Sequence, residues 1–246
     1  MKMIQEYEML STIIPKKPPR IIYPETDGNP MAENTKQFRW IVTVKEGLEA
    51  LFAADPNVFI AGDLLWYPVE GHPEIRVAPD ALVAFDRPKG DRGSYLQWQE
   101  GGLAPQAVFE IRAPGNTLGE MTRKYRFYER YGVDEYYVYD PDKGELNGWE
   151  RRGETLVEIE PMNGWVSPRL GIRFEMEDLE LALYRPDGER FFTYGELMEL
   201  REQARQQVEQ ARQQAARAGQ RADQAEARAQ RLGAHLRALG VDPDAL

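Results

Sequence analysis

The 246-residue sequence contains no cysteine and only two histidines, His72 and His235. The first absence excludes disulfides, thiolate zinc sites and cysteine nucleophiles together. The second excludes a histidine-built metal centre, so any metal ion would have to be held by oxygen. No apolar run approaches the length of a membrane span, and the N-terminus lacks a secretory signal pattern, so the expectation is a soluble, cytoplasmic protein with no membrane partner. Positive charge is scarce too: 31 Lys and Arg stand against 41 Asp and Glu, a net charge of −10. That field does not suit a protein that coats nucleic acid. It still permits an enzyme that grips a few phosphates at one cleft, because a bound cation inverts the local charge of the carboxylates that hold it. Apolar side chains are plentiful, at 42% of the residues, enough for a core of one or two domains.

Residues 1–24 read as a loose N-terminal segment, because Pro15, Pro18, Pro19 and Pro24 forbid a long helix there. From Met31 to Ala54 apolar residues recur at helical spacing (Trp40, Val44, Leu48, Leu51), with Glu33 in the first turn. Val58–Tyr67 reads as one strand with an unusual acid, Asp63, inside it. Ile75–Val77 and Asp80–Phe85 read as strands meeting at Ala78-Pro79. Residues 86–104 form a long glycine-rich loop, with a short helical piece around Tyr95-Leu96-Gln97-Trp98. Pro105–Arg112 is the next strand. Thr117 caps a helix with Glu120 at the capping-box position, and Gly132 ends it. Glu135–Tyr139 is a buried strand, Glu145–Arg151 and Thr155–Ile159 a hairpin about Gly153. Short strands follow near Ile172–Phe174 and Leu179–Tyr184.

Four pieces of the chain point to one chemistry. Asp80 stands where an apolar strand begins, and Glu110 stands inside another. Glu120 and Lys124 lie four apart on the following helix. Two carboxylates from neighbouring strands with a lysine beside them suit a divalent-metal phosphodiesterase: the acids hold a hard cation, and the lysine orients water or stabilises the charged phosphate. The same residues also admit a plainer arrangement, an acid at a strand start and a solvated i,i+4 salt bridge.

After Tyr194 the composition changes to Ala, Gln, Glu and Arg, with eight Arg balanced by eight acids. Val208, Ala211, Ala215, Ala218, Ala222, Ala225, Ala229, Leu232, Leu236 and Leu239 recur at spacings of three and four, a heptad seam. Alanine makes the seam thin, so a solitary exposed helix of high intrinsic propensity and a coiled coil both fit.

Taken together, these motifs resemble the Uma-two family within the PD-(D/E)XK nuclease superfamily, over about residues 25–190. The residues that carry the resemblance are Asp27-Gly28-Asn29-Pro30-Met31-Ala32-Glu33, Ala78-Pro79-Asp80, Phe109-Glu110-Ile111, the run from Leu118-Gly119-Glu120 through Lys124 to Tyr128, and Tyr131 to Pro141. The resemblance implies an α/β restriction-endonuclease-like core over residues 25–192, a mixed sheet flanked by helices, followed by a long C-terminal helix or coiled coil over 193–241. It implies a DNA endonuclease that uses Mg²⁺ or Mn²⁺, with Asp80, Glu110 and the Ile111 carbonyl as metal ligands. Lys124 is then the catalytic lysine, and Glu33 and Glu120 complete the site. The sequence departs from the pattern twice: Arg112 stands where the superfamily usually has its lysine, and Lys36-Gln37-Phe38 where many relatives have a histidine. Arg112 and Gln37 become candidates for substrate contacts. A nuclease-fold module without chemistry, acting in DNA binding or assembly, is the rival expectation. The seam predicts a homodimer or small homo-oligomer.

Overall fold

The structure is a computed structural model that describes residues 21–28, 32 and 34–238. Helix α1 (Thr35–Leu51) opens at Asn34, whose side chain accepts the Gln37 N–H. The helix therefore starts later than the apolar periodicity suggests, and Glu33 lies outside the described residues. Strands β1 (Val58–Ala61) and β2 (Trp66–Tyr67) follow, then β3 (Ala81–Phe85), β4 (Tyr95–Leu96) and β5 (Ala107–Ile111). Helix α2 (Leu118–Tyr131) leads to β6 (Glu135–Asp140), β7 (Glu145–Arg152), β8 (Thr155–Glu158), β9 (Arg173–Glu177) and β10 (Glu180–Tyr184).

Six strands form one mixed sheet in the order β1-β3-β5-β6-β7-β8. Only β5 and β6 run parallel in it, joined by α2 as a crossover; the other pairs are antiparallel. This is an α/β fold of the expected class. Alternation along the central strands builds a core on each face. Ala81, Val83, Ala107, Phe109, Ile111, Tyr137 and Tyr139 pack with Trp40, Ile41, Val44 and Leu48 of α1 and with the β9–β10 hairpin. Leu82, Ala84, Val108, Tyr136 and Val138 pack with Tyr128 of α2 and with Trp66. Strand β5 is buried along its whole length, which explains its unbroken apolar character apart from Glu110. Gly47 lies where a Cβ would stand 2.1 Å from the Phe191 ring, so the middle of α1 tolerates no side chain there. Gly132 ends α2 in the left-handed conformation, at φ 97°, as its position after Tyr131 foretold.

Three local expectations need correction. Ile75–Val77 is not a strand: Val77 makes only an isolated bridge, to Trp66. Val58–Tyr67 is not one strand: the chain breaks at Gly62-Asp63, Asp63 takes φ 49°, and its N–H donates to the Pro79 carbonyl at 3.1 Å. Tyr95–Trp98 is not helical. Tyr95–Leu96 pairs in parallel with Trp66–Tyr67, and the buried Tyr95 side chain favours that extended packing over a turn of helix.

Residues 1–191 and 192–246 form two separate units. In the second, helix α3 runs from Tyr194 to Ala238 without a buried residue. Thr193 and Glu196 open it with reciprocal hydrogen bonds, a capping box. Its ladder of Glu202–Gln206, Glu209–Gln213 and Glu226–Gln230 contacts at i,i+4 supports a helix exposed on every side.

Candidate active site

Ala81 of β3 faces Phe109 of β5 in antiparallel register. One step further along, Asp80 stands opposite Glu110. Alternation turns Glu110 to the same face as Val108, beneath α2, and that helix supplies its partners. Lys124 Nζ donates to Glu110 Oε2 at 2.7 Å, and the Tyr128 hydroxyl donates to Oε1. Lys124 and Tyr128 are four apart, one helical turn, so both reach the same carboxylate. Lys124 has thus turned to Glu110 rather than into a solvated i,i+4 pair with Glu120. Asp80 Oδ2 accepts the Ile111 N–H at 2.6 Å. The Ile111 carbonyl accepts the Gln37 side-chain amide at 2.8 Å, which ties α1 to the end of β5.

Gln37, Asp80, Glu110 and Lys124 line a cleft of about 530 Å³, together with Glu120. The cleft also holds Asp27, Asp63, Arg76 and Asn116, which sequence reasoning did not assign to the site. Asp63 did carry a signal, as an acid in an otherwise apolar run. The Asn116 side chain accepts the Ala113 N–H and so shapes the turn into α2. Arg112 is not among the cleft residues. It pairs instead with Asp140 at the end of β6, Nη1 to Oδ2 at 3.2 Å. Among the described residues no group of three or more His, Cys, Asp or Glu side chains is placed to hold a metal ion. A cation here would rest on two carboxylates and a backbone carbonyl.

The electrostatics follow from burial. Desolvation raises the Asp80 carboxyl well above the usual carboxylate range; Glu110 adds to the rise, and Lys124 and the Ile111 N–H oppose it. Burial lowers the Lys124 pKa, but Glu110, Asp80 and Glu120 outweigh it and the pKa is raised, so it stays an ammonium. Burial, with Asp27 and Glu110, also lifts Asp63. A carboxyl raised on folding binds its proton more tightly in the folded state. Its stabilising effect is present below the ordinary carboxylate range and lost as pH rises through the raised value. In EDTA, the part of the melting temperature that Asp80 governs should therefore fall as pH is raised through that value. Asp80→Asn should flatten that fall and melt higher than wild type at neutral pH, as a pH series of thermal melts would show. Glu135, another buried acid of the sheet, is raised by burial too, but Ser167, the Arg169 N–H and Tyr137 satisfy it away from the cleft.

A family model matches residues 22–183: Uma2, described as "Putative restriction endonuclease". The chain belongs to the Uma2 family. No curated protein matches it. Among solved structures, it is similar to a crystal structure from Anabaena variabilis ATCC 29413 described as a "putative nuclease belonging to DUF820". That similarity has a TM-score of 0.46 and 15% identity, over 70% of this chain and 95% of the other. In this Uma2 chain the matched span contains every residue of the cleft named above. Helix α3 lies beyond it.

Proposed function

We propose that the protein is a DNA endonuclease that hydrolyses phosphodiester bonds with a divalent cation, Mg²⁺ or Mn²⁺, held by Asp80, Glu110 and the Ile111 carbonyl. The observation that carries this reading is the opposition of Asp80 and Glu110 across β3 and β5, with Lys124 on Glu110 at the floor of an open cleft. The donor set fits the ion. It is all oxygen, and Mg²⁺ is commonly bound by one or two carboxylates plus water and substrate phosphate rather than by a full protein cage. Each carboxylate oxygen has two lone pairs, so the bonds from Lys124, Tyr128 and the Ile111 N–H leave room for a ligand. Asp80 is a half-buried, desolvated acid with one backbone donor, and a cation would relieve its repulsion with Glu110.

A cation held by Asp80, Glu110 and the Ile111 carbonyl would supply positive charge at the scissile phosphate and would make water more acidic there. The chain's own groups do the rest. Tyr128 and Lys124 fix both oxygens of Glu110, and Gln37 fixes the Ile111 carbonyl, so the donor atoms are aimed before substrate arrives. Lys124 stays charged; it orients the attacking water and donates to the phosphate oxygens as their charge grows, and it does not act as the base. Glu120 holds that charge from the next turn of α2, and Glu33 is a further acid of the site. Arg76, inside the cleft, is better placed than Arg112 to contact a neighbouring phosphate. Incubation of plasmid and oligonucleotide DNA with the full chain tests the reading. Cleavage in Mg²⁺ or Mn²⁺ and none in EDTA is the expected result. Absence of cleavage under all conditions leaves a nuclease-fold module that binds DNA or assembles.

The nuclease unit spans residues 25–192 and the tail 193–241, and the tail joins copies of the chain into a dimer or small oligomer. Support comes from the exposed seam: Val208 and Leu232 stand 52% and 63% accessible on a helix without a buried residue between Tyr194 and Ala238; Leu239, the last position of the seam, lies outside the described residues. Light scattering should give a multiple of the chain mass for the full chain and a single mass for one ending near Tyr194. Two single masses would make α3 a solitary helix.

A further inference from the structure

Helix α2 divides two depressions. Glu120 and Lys124 line the cleft; Met121 and Tyr125 line a second groove of about 290 Å³, between α2 and the β6–β7 part of the sheet. Tyr136, Trp149, Arg112 and Asn147 complete the part of its lining that matters here. Its volume lies at the small end of the roughly 300–1,000 Å³ of ligand pockets, the scale of one ring system. Two buried polar atoms in this lining have no hydrogen-bond partner: the Tyr136 hydroxyl and Arg112 Nε. Tyr136 is only 1% exposed. Native proteins pair nearly all their buried polar atoms, so two orphans enclosed just behind one groove point to a guest that shifts the side chains over them and supplies their partners.

The chemistry of the guest follows from the walls. Trp149 and Tyr125 offer aromatic faces, and Trp149 is stacked on Tyr136 at 5.1 Å. Arg112 uses Nη1 on Asp140 and keeps Nε as a donor. The Tyr136 hydroxyl can donate or accept, and Asn147 adds an amide on the exposed side. A flat ring with donors and acceptors on its edge meets all of these. Position narrows it further: Arg112, just past the end of β5, is two residues beyond Glu110, about 6.6 Å along an extended chain. A ring in the groove and a phosphate at Glu110 can then belong to the same or adjacent nucleotides. In an intact duplex, bases are stacked and their edges paired, so a base enters such a groove only when it is unpaired or turned out.

We propose that the groove between α2 and β6–β7 receives an unpaired nucleobase beside the scissile phosphate, so that the substrate is a single strand or a duplex opened at the cut. This rests on the nuclease reading above. The test is fluorescence anisotropy of the full chain in Ca²⁺, which takes the same oxygen donors. The probes are a labelled single strand, the same strand with abasic sugars, and the blunt duplex. The base-bearing strand should bind about tenfold more tightly than the other two, the scale of base–aromatic stacking. Tyr136→Phe, which removes only the orphaned hydroxyl, and Asn147→Ala should each cut that preference several-fold and leave abasic binding unchanged. Equal binding of the three probes, no binding of any, or a preference that both variants keep would overturn the proposal. Cleavage in Mg²⁺ without base preference sinks the groove and leaves the nuclease reading. Base preference lost in both variants, with no cleavage in any metal, sinks that reading and leaves a nucleobase site.

Discussion

Asp80→Ala and Glu110→Ala are expected to reduce cation-dependent DNA cleavage to background, and Lys124→Ala to reduce it by at least about a hundredfold. The scale is that of removing one preorganised stabiliser of transition-state charge, roughly 10²–10³ in rate. The three losses differ in cause. Asp80 and Glu110 stand opposed across two strands, and neither alone supplies the pair of oxygens a hard cation needs. Lys124 sits on Glu110 at 2.7 Å as a cation. Its loss removes charge from the transition state but also removes a competitor for Glu110, so Lys124→Ala should keep its metal. It should fail in kcat rather than in cation affinity. Steady-state cleavage at increasing Mn²⁺ separates the cases: saturating metal rescues neither carboxylate variant, and the lysine variant saturates at ordinary metal with a low plateau. Wild-type rates in either carboxylate variant would remove the assignment.

The second large effect falls on stability. Tyr136→Ala should cost about 3–5 kcal/mol, the range for truncating a buried aromatic. Tyr136 is 1% exposed and lies between the rings of Tyr128 and Trp149, at 4.9 and 5.1 Å. Removing it opens the core under α2, and Tyr128, which fixes Glu110, loses its neighbour. Tyr136→Phe keeps the ring and drops a hydroxyl without a hydrogen-bond partner, so it should be neutral or stabilising. Denaturant melts of both variants check this. A well-folded Tyr136→Ala protein with unchanged midpoint would show that the ring is not part of the core.

Much of this arrangement was legible in the sequence, and for local reasons. Thr117, Glu120 and Gly132 mark the ends of α2 by cap chemistry alone, and the spacing of Lys124 and Tyr128 puts both on one face. Strand alternation places Glu110 with Val108, away from Phe109 and Ile111. What escaped depends on contacts between distant segments. Asp63 enters the cleft because its N–H bonds Pro79 sixteen residues on, in a break that apolar periodicity does not reveal. The β2–β4 pair joins residues about thirty apart and has two residues per strand, too few for a pattern. Arg112 carries the right charge at the expected strand position, but the end of β6 presents Asp140 to it and draws it out of the cleft. The heptad seam of α3 is plain in sequence, while the partner that would cover it is not a property of one chain.

Calorimetric titration with Mn²⁺ reads out whether Asp80 and Glu110 together hold a divalent cation. Wild-type protein should bind one Mn²⁺ per chain, more tightly as pH rises above the acid range, because Asp80 must first lose a proton that burial and Glu110 help it keep. Asp80→Ala should bind none at the same concentrations. Equal binding by wild type and Asp80→Ala would contradict the account.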